Sequence, residues 1–143
     1  MLSLTALRIA TREALAYVRA QPDVAEVEVF ASATGNLTTR LNYTSHIPSN
    51  GVEEPKSVES FGVGLRVAFP SPSGPMTGFG CEPTDLSLEG VRRALDKARL
   101  GAVLDTEFVS LPRPMSRRSG TPVISHDPEI MRLNSPRLLE TGW

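Results

Sequence analysis

Chemistry-bearing side chains are scarce in this 143-residue chain, which holds one cysteine and two histidines. Cys81 alone cannot close an internal disulfide, and no histidine near it in sequence would activate it as a nucleophile, so it reads as a small buried hydrophobe. His46 and His126 stand far apart, and neither has a second histidine at the three- or four-residue spacing that sets two ligands on one helical face. No metal site is expected between them, and His46 reads as a loop residue and His126 as a position ahead of a helix cap. An excess of either charge is also missing: 15 Lys and Arg face 16 Asp and Glu, a net charge of -1. No global field then draws the chain to nucleic acid or to an anionic membrane. No apolar run approaches the roughly 20 residues of a membrane helix. The start Met1-Leu2-Ser3-Leu4 lacks the basic and apolar regions of a secretion signal, so the expected compartment is the cytoplasm.

Other near-motifs are equally bare. Gly62-Val63-Gly64 lacks the third glycine and the following helix of a dinucleotide loop, and reads instead as strand glycines under a close neighbour. Glu53, Glu54 and Glu59 lie in or beside a turn-rich stretch with no apolar pocket to raise a pKa, so they read as solvated acids. Arg113, Arg117 and Arg118 form a linker cluster without interleaved aromatics, which does not support direct nucleic-acid contact. No catalytic, cofactor-binding or metal-ligating residue is assigned within the chain.

What is present is patterning. Leu7, Ala10, Ala14 and Val18 recur at steps of three and four, which predicts an amphipathic helix over residues 4–20, ended by Pro22. Val27 and Val29 alternate with Glu26 and Glu28 as in a half-buried strand. The turn-like Thr34-Gly35-Asn36 and the alternation of Leu37, Thr39, Leu41 and Tyr43 predict its hairpin partner, followed by a loop over 44–56. Phe61, Val63, Leu65, Val67 and Phe69 mark a long strand, the proline-rich turn over 70–75 follows, and residues 76–81 give a fourth strand. Thr84 or Asp85 is placed to cap a second helix whose Leu88, Val91, Leu95 and Ala98 share one face, with Gly101 as terminator. Arg92, Arg93, Lys97 and Arg99 fall on its solvated side.

The fold class expected is α+β: a two-layer sandwich with an antiparallel sheet of about four strands, two helices packed on one face, order α-β-β-β-β-α, and a C-terminal tail. Residues 1–105 form the domain. Residues 106–143, with Pro112, Pro114, Pro122, Pro128 and Pro136, read as a linker and the start of a truncated second domain, with helix starts at Asp127-Pro128 and Ser135-Pro136.

The residues along this order resemble a known family. Val27-Glu28-Val29-Phe30-Ala31, Val58-Glu59-Ser60, Gly62-Val63-Gly64-Leu65-Arg66-Val67, Gly78-Phe79-Gly80 and the Arg- and Ala-rich helix over 86–99 resemble the N-terminal domain of TldD/PmbA metallopeptidases, the modulator of DNA gyrase family. Phe108-Val109-Ser110-Leu111-Pro112 and His126-Asp127-Pro128-Glu129-Ile130 resemble the crossing into that family's C-terminal domain. The resemblance implies a non-catalytic scaffold and substrate-channel domain, a zinc ion held in the missing C-terminal domain rather than in this chain, a homo- or heterodimer with a related subunit, and unfolded peptides or small proteins as substrate. The competing expectation is a non-catalytic protein-binding or assembly module of the partner-subunit type.

Overall fold

The computed structural model describes residues 2–42, 51–52, 56–113 and 127–142. Helix α1, Leu4–Arg19, starts where the Ser3 side chain accepts from the Ala6 amide, and it buries Ala14 and Val18. It ends at Arg19 with Ala20 as its cap, ahead of Pro22. Strand β1, Glu26–Thr38, follows. The short strands β2, Leu41–Asn42, and β3, Gly51–Val52, pair with each other. Then come β4, Lys56–Phe69, and β5, Met76–Pro83, joined by the expected turn, and helix α2, Leu88–Leu100. A two-residue strand β6, Val103–Leu104, completes the main sheet, whose order is β1-β4-β5-β6.

The α+β class and the antiparallel four-stranded sheet are as expected. Three details differ. Thr34, Gly35 and Asn36 make no turn; β1 runs straight through them, because its sheet partner is β4 and the chain reverses further on, at the β2–β3 pair. Of the loop expected over 44–56, Gly51–Val52 forms β3 and Lys56 opens β4, and the rest lies outside the described residues. The cap of α2 is Ser87, whose hydroxyl accepts from the Gly90 amide. Thr84 instead closes the β4–β5 ladder by donating its amide to the Phe61 carbonyl, at a φ of 67°. Asp85 accepts from the Ser87 amide and pairs with Arg93. Gly101 terminates α2 as expected.

The chain divides into two compact units, Met1–Thr34 with Glu59–Arg113, and Gly35–Val58 with Pro114–Trp143. In the second unit, a single 3-10 turn, Ile130–Arg132, precedes α3, Ser135–Gly142, which is capped by Asn134 accepting from the Arg137 amide.

The core belongs to the first unit. Val27, Val63, Leu65, Val67 and Phe69 from the sheet meet Ala14, Val18, Val91, Ala94, Leu95 and Ala98 from the helices. The period-two alternation of β4 therefore selects one sheet face, and both helices cover it. Leu88, expected on the same stripe, is about half exposed at the helix start, and Ala94 takes its place in the core. On β5, which pairs with β4 through Leu65↔Gly80 and Val67↔Gly78, the helix-facing positions are glycines. A Cβ at either would run into a backbone carbonyl of α2, Ala98 at Gly78 and Ala94 at Gly80. Glycine here lets helix and strand backbones touch.

Candidate functional site

Among the described residues, no helix packs on the opposite face of the sheet. In the β4–β5 register, Gly62↔Pro83, Gly64↔Cys81, Arg66↔Phe79 and Ala68↔Thr77 point away from the helices. On β1 the matching positions are Glu28 and Phe30. The Glu28 carboxylate meets Arg66 at 3.0 Å, and the Phe30 carbonyl lies 3.9 Å from where a Cβ on Gly64 would stand. These contacts run in opposite directions along the two strands, which makes the β1–β4 pairing antiparallel. Successive rows across the face are therefore Phe30, Gly64, Cys81 and then Glu28, Arg66, Phe79.

A strap closes one end of this face. Residues 105–111 leave β6 and cross the row of Glu26, Ala68 and Thr77: the Thr77 hydroxyl donates to Asp105 at 3.3 Å, and the Leu111 amide donates to Glu26 at 2.7 Å. Leu111, Ala68 and Thr77 are buried as a result, although none of the described helices covers that side. Beyond the strap the face is open. Phe30 and Phe79 are 68% and 66% exposed, far above what aromatic rings in a sheet normally retain. Between them, over the bare backbone of Gly64, lies a depression of about 450 Å³ that reaches the stem of Lys97 at the sheet edge. A second hollow of about 310 Å³ continues it along Ser32, Gly62 and Pro83. The first volume falls within the range of small-ligand and side-chain pockets.

Among the described residues, the adjoining edge of β5 has no strand partner over most of its length. Only Met76 and Thr77 pair with β6. The Thr84–Phe61 hydrogen bond sets the alternation of the ladder, so the main-chain groups of Phe79 and Cys81 point away from β4, toward that edge. The Cys81 carbonyl accepts from Lys97 Nζ at 3.0 Å, and Lys97 also pairs with Glu82 at 2.7 Å. A lysine reaching from α2 thus holds the place a neighbouring strand would take.

Electrostatics around the edge are internally balanced. Glu82 sits between Lys97 and Arg93, and hydrogen bonding to Lys97 holds its carboxyl below the usual range. Asp85 is lowered by its hydrogen bonds from Ser87 and by Arg93. Arg99 grips Asp23 with two nitrogens, at 2.8 and 2.9 Å, which lowers Asp23 and raises Arg99. The cations of α2 therefore remain at the surface as expected, but each is engaged with a named acid: Arg92 with Glu89, Arg93 with Asp85, Lys97 with Glu82 and Arg99 with Asp23.

Cys81 is a correction: it is exposed on the open face, because strand parity places it with Phe79 rather than with Gly80. The reading of Gly62 and Gly64 holds for one of the two, since the Glu82 carbonyl crowds Gly62 whereas a Cβ on Gly64 would meet nothing nearer than the Phe30 carbonyl at 3.9 Å. Glu59 and Arg113 are exposed. His46, His126, Glu53, Glu54, Arg117 and Arg118 lie outside the described residues. Among the described residues no three His, Cys, Asp or Glu side chains converge as a metal site would need, and no helix is long and apolar enough to cross a membrane. The close helix contact at Gly78 and Gly80 was not expected from the sequence, although two glycines at alternate strand positions are the signal that could have shown it; nothing local in sequence signals the strap. Comparison of the chain with family models, with curated proteins and with solved structures gives no match.

Proposed function

We propose that this chain is a binding and scaffold domain that takes up an extended polypeptide along the free edge of β5. The carrying observation is that edge: β6 covers two residues of β5, and beyond them outward main-chain groups meet a lysine side chain instead of a strand. A peptide added there pairs main chain to main chain, a mode that tolerates many sequences. Displacing Lys97 costs little, because an exposed, solvent-screened ion pair contributes only weakly.

In this reading the domain serves as the N-terminal, non-catalytic part of a TldD/PmbA-like metallopeptidase acting on unfolded peptides or small proteins. The zinc chemistry would reside in a C-terminal domain, and a related subunit would be the dimer partner. Support comes from the residue resemblance together with the α-β-β-β-β-α order. The alternative, an assembly module whose edge pairs directly with another subunit, is disfavoured by Lys97, since a charged guard on an edge opposes strand-to-strand association of folded copies. Amide exchange on the full chain tests the site. An unfolded peptide should slow exchange at Phe79 and Cys81; protection confined to β1, or none at all, overturns the assignment. The peptidase reading fails separately, if a longer protein carrying this chain and loaded with zinc cleaves no unfolded peptide.

A further inference from the structure

The free edge and the open depression lie side by side, and their juxtaposition bears on which peptides bind. A strand added beside β5 places alternate side chains on the open face, next to Phe79 and Cys81. Cys81 is small and Gly64 beyond it has no side chain, while Phe30 and Phe79 rise on either flank. A bulky side chain opposite Cys81 would lean across it into the depression of about 450 Å³ and lie over Gly64 between the two rings.

Two further observations define the occupant. The charged groups on the lining are ion-paired, Arg66 with Glu28 and Lys97 with Glu82 just beyond the rim; Arg66 Nε is buried there without a hydrogen-bond partner, but no formal charge is left uncompensated to attract an ionic side chain. Its extent is also small. Three strands by three rows span roughly 14 by 20 Å, or roughly 300 Å², from standard strand spacing. A stable protein interface buries about 800 Å² on each partner. The face is thus too small to hold a second copy of the chain by itself, and of a size to hold one or two side chains of a strand.

We propose that the hollow over Gly64 is a specificity pocket for a bulky uncharged side chain, aromatic or branched aliphatic, of a peptide strand added to the β5 edge. This rests on the strand-addition reading above and goes beyond it by naming the substrate class: extended segments with a large apolar residue at alternate positions.

The test uses the full chain and two short threonine-rich peptides that differ only in a central phenylalanine or aspartate. Their affinities are measured by calorimetry for the wild type and for Gly64→Val. A Cβ at Gly64 meets nothing nearer than 3.9 Å, so the variant should fold, which its melting curve checks, while its side chain fills the floor. The wild type should prefer the phenylalanine peptide by about tenfold or more, the discrimination apolar pockets commonly give. Gly64→Val should bind both peptides alike. Equal affinities in the wild type overturn the pocket and leave strand addition standing, whereas no binding of either peptide overturns both. Sedimentation adds a further outcome: a wild-type dimer abolished by Gly64→Val would assign the face to a second copy and overturn the proposal.

Discussion

The Ala94 carbonyl of α2 stands directly over Gly80 of β5, where any side chain would have to be. That contact fixes how closely the helix lies on the sheet, and so how the β5 edge is presented to the outside. Gly80→Ala must push α2 away from β5 or twist the strand. Overpacking of this kind costs about 1–3 kcal/mol. The expected result is a urea midpoint well below wild type for Gly80→Ala and Gly78→Ala, with Gly64→Ala close to wild type because its face is open. Three equal midpoints would mean that helix and strand are not in backbone contact.

Thr84 offers the opposite case. A β-branched residue at a φ of 67° is strained, since its Cβ crowds the backbone in the left-handed region. Holding such a conformation costs about 1–3 kcal/mol, part of which glycine returns to its freer unfolded chain. Thr84→Gly should therefore leave stability unchanged or raise it by about 1 kcal/mol. A clear loss in chemical denaturation would show that the threonine side chain holds the end of the β4–β5 ladder in some way its backbone does not reveal.

These two cases also show what the sequence exposes and what it hides. Helix periodicity around Ala14 and Val18, and again around Val91 and Leu95, is a local signal, and both helices were legible. So was β4, four of whose five alternating apolar residues, Val63, Leu65, Val67 and Phe69, line the core. Thr34-Gly35-Asn36 has the composition of a turn yet lies within β1, because turn-forming residues also occur in long exposed strands, and only the long-range β1–β4 pairing decides between them. A strand of two residues such as β6 carries no period at all. Placing Cys81 required the register Gly64↔Cys81, a relation between segments and not within one. The open face was hidden for the same reason, since Phe30 and Phe79 sit in different strands and acquire a common side only when β4 lies between them.

Acid should weaken the fold at three points. Asp23, Glu82 and Asp85 are all held below their ordinary values of 3.8, 4.5 and 3.8, chiefly by hydrogen bonds from Arg99, Lys97 and Ser87 respectively. A carboxyl whose folded pKa is depressed contributes stability that is fully present above its unfolded value and is lost as pH falls through the folded one. Their contribution should be constant from neutrality to about pH 5 and fall away below about pH 4. Asp23→Asn removes one of the three, lowering stability at pH 7 by at most about 1 kcal/mol, as suits a half-exposed pair, and flattening the acid limb. Urea midpoints at pH 7, 5 and 3.5 for the two proteins check this, and an acid limb of unchanged slope would exclude Asp23 as a contributor.

Because Cys81 is exposed on the open face, its thiol should react with a small disulfide reagent in the native state. Labelling should run within about tenfold of the rate for the unfolded chain, since burial, the usual source of protection, is absent. An extended peptide seated on β5 would cover the thiol and slow its labelling, giving a simple readout of occupancy. A thiol that reacts only in denaturant would place Cys81 in the core and remove the floor from the proposed pocket.

Lys97 supplies the sharpest probe of the edge. Its ammonium holds the Cys81 carbonyl at 3.0 Å and the Glu82 carboxylate at 2.7 Å, so one side chain both fills a main-chain acceptor and adds charge where another strand would approach. Lys97→Met keeps most of the stem and removes both effects, while Glu82 retains Arg93 as a partner. The variant should fold, bind extended peptides a few-fold more tightly at most, since a solvent-screened ion pair contributes weakly, and self-associate more than the wild type as concentration rises. Lys97→Arg preserves charge and donors and should behave like wild type. A Lys97→Met protein that associates no more than the wild type and binds peptide no better would mean that the β5 edge is closed by its own geometry, and the strand-addition site would then have to be sought on β1.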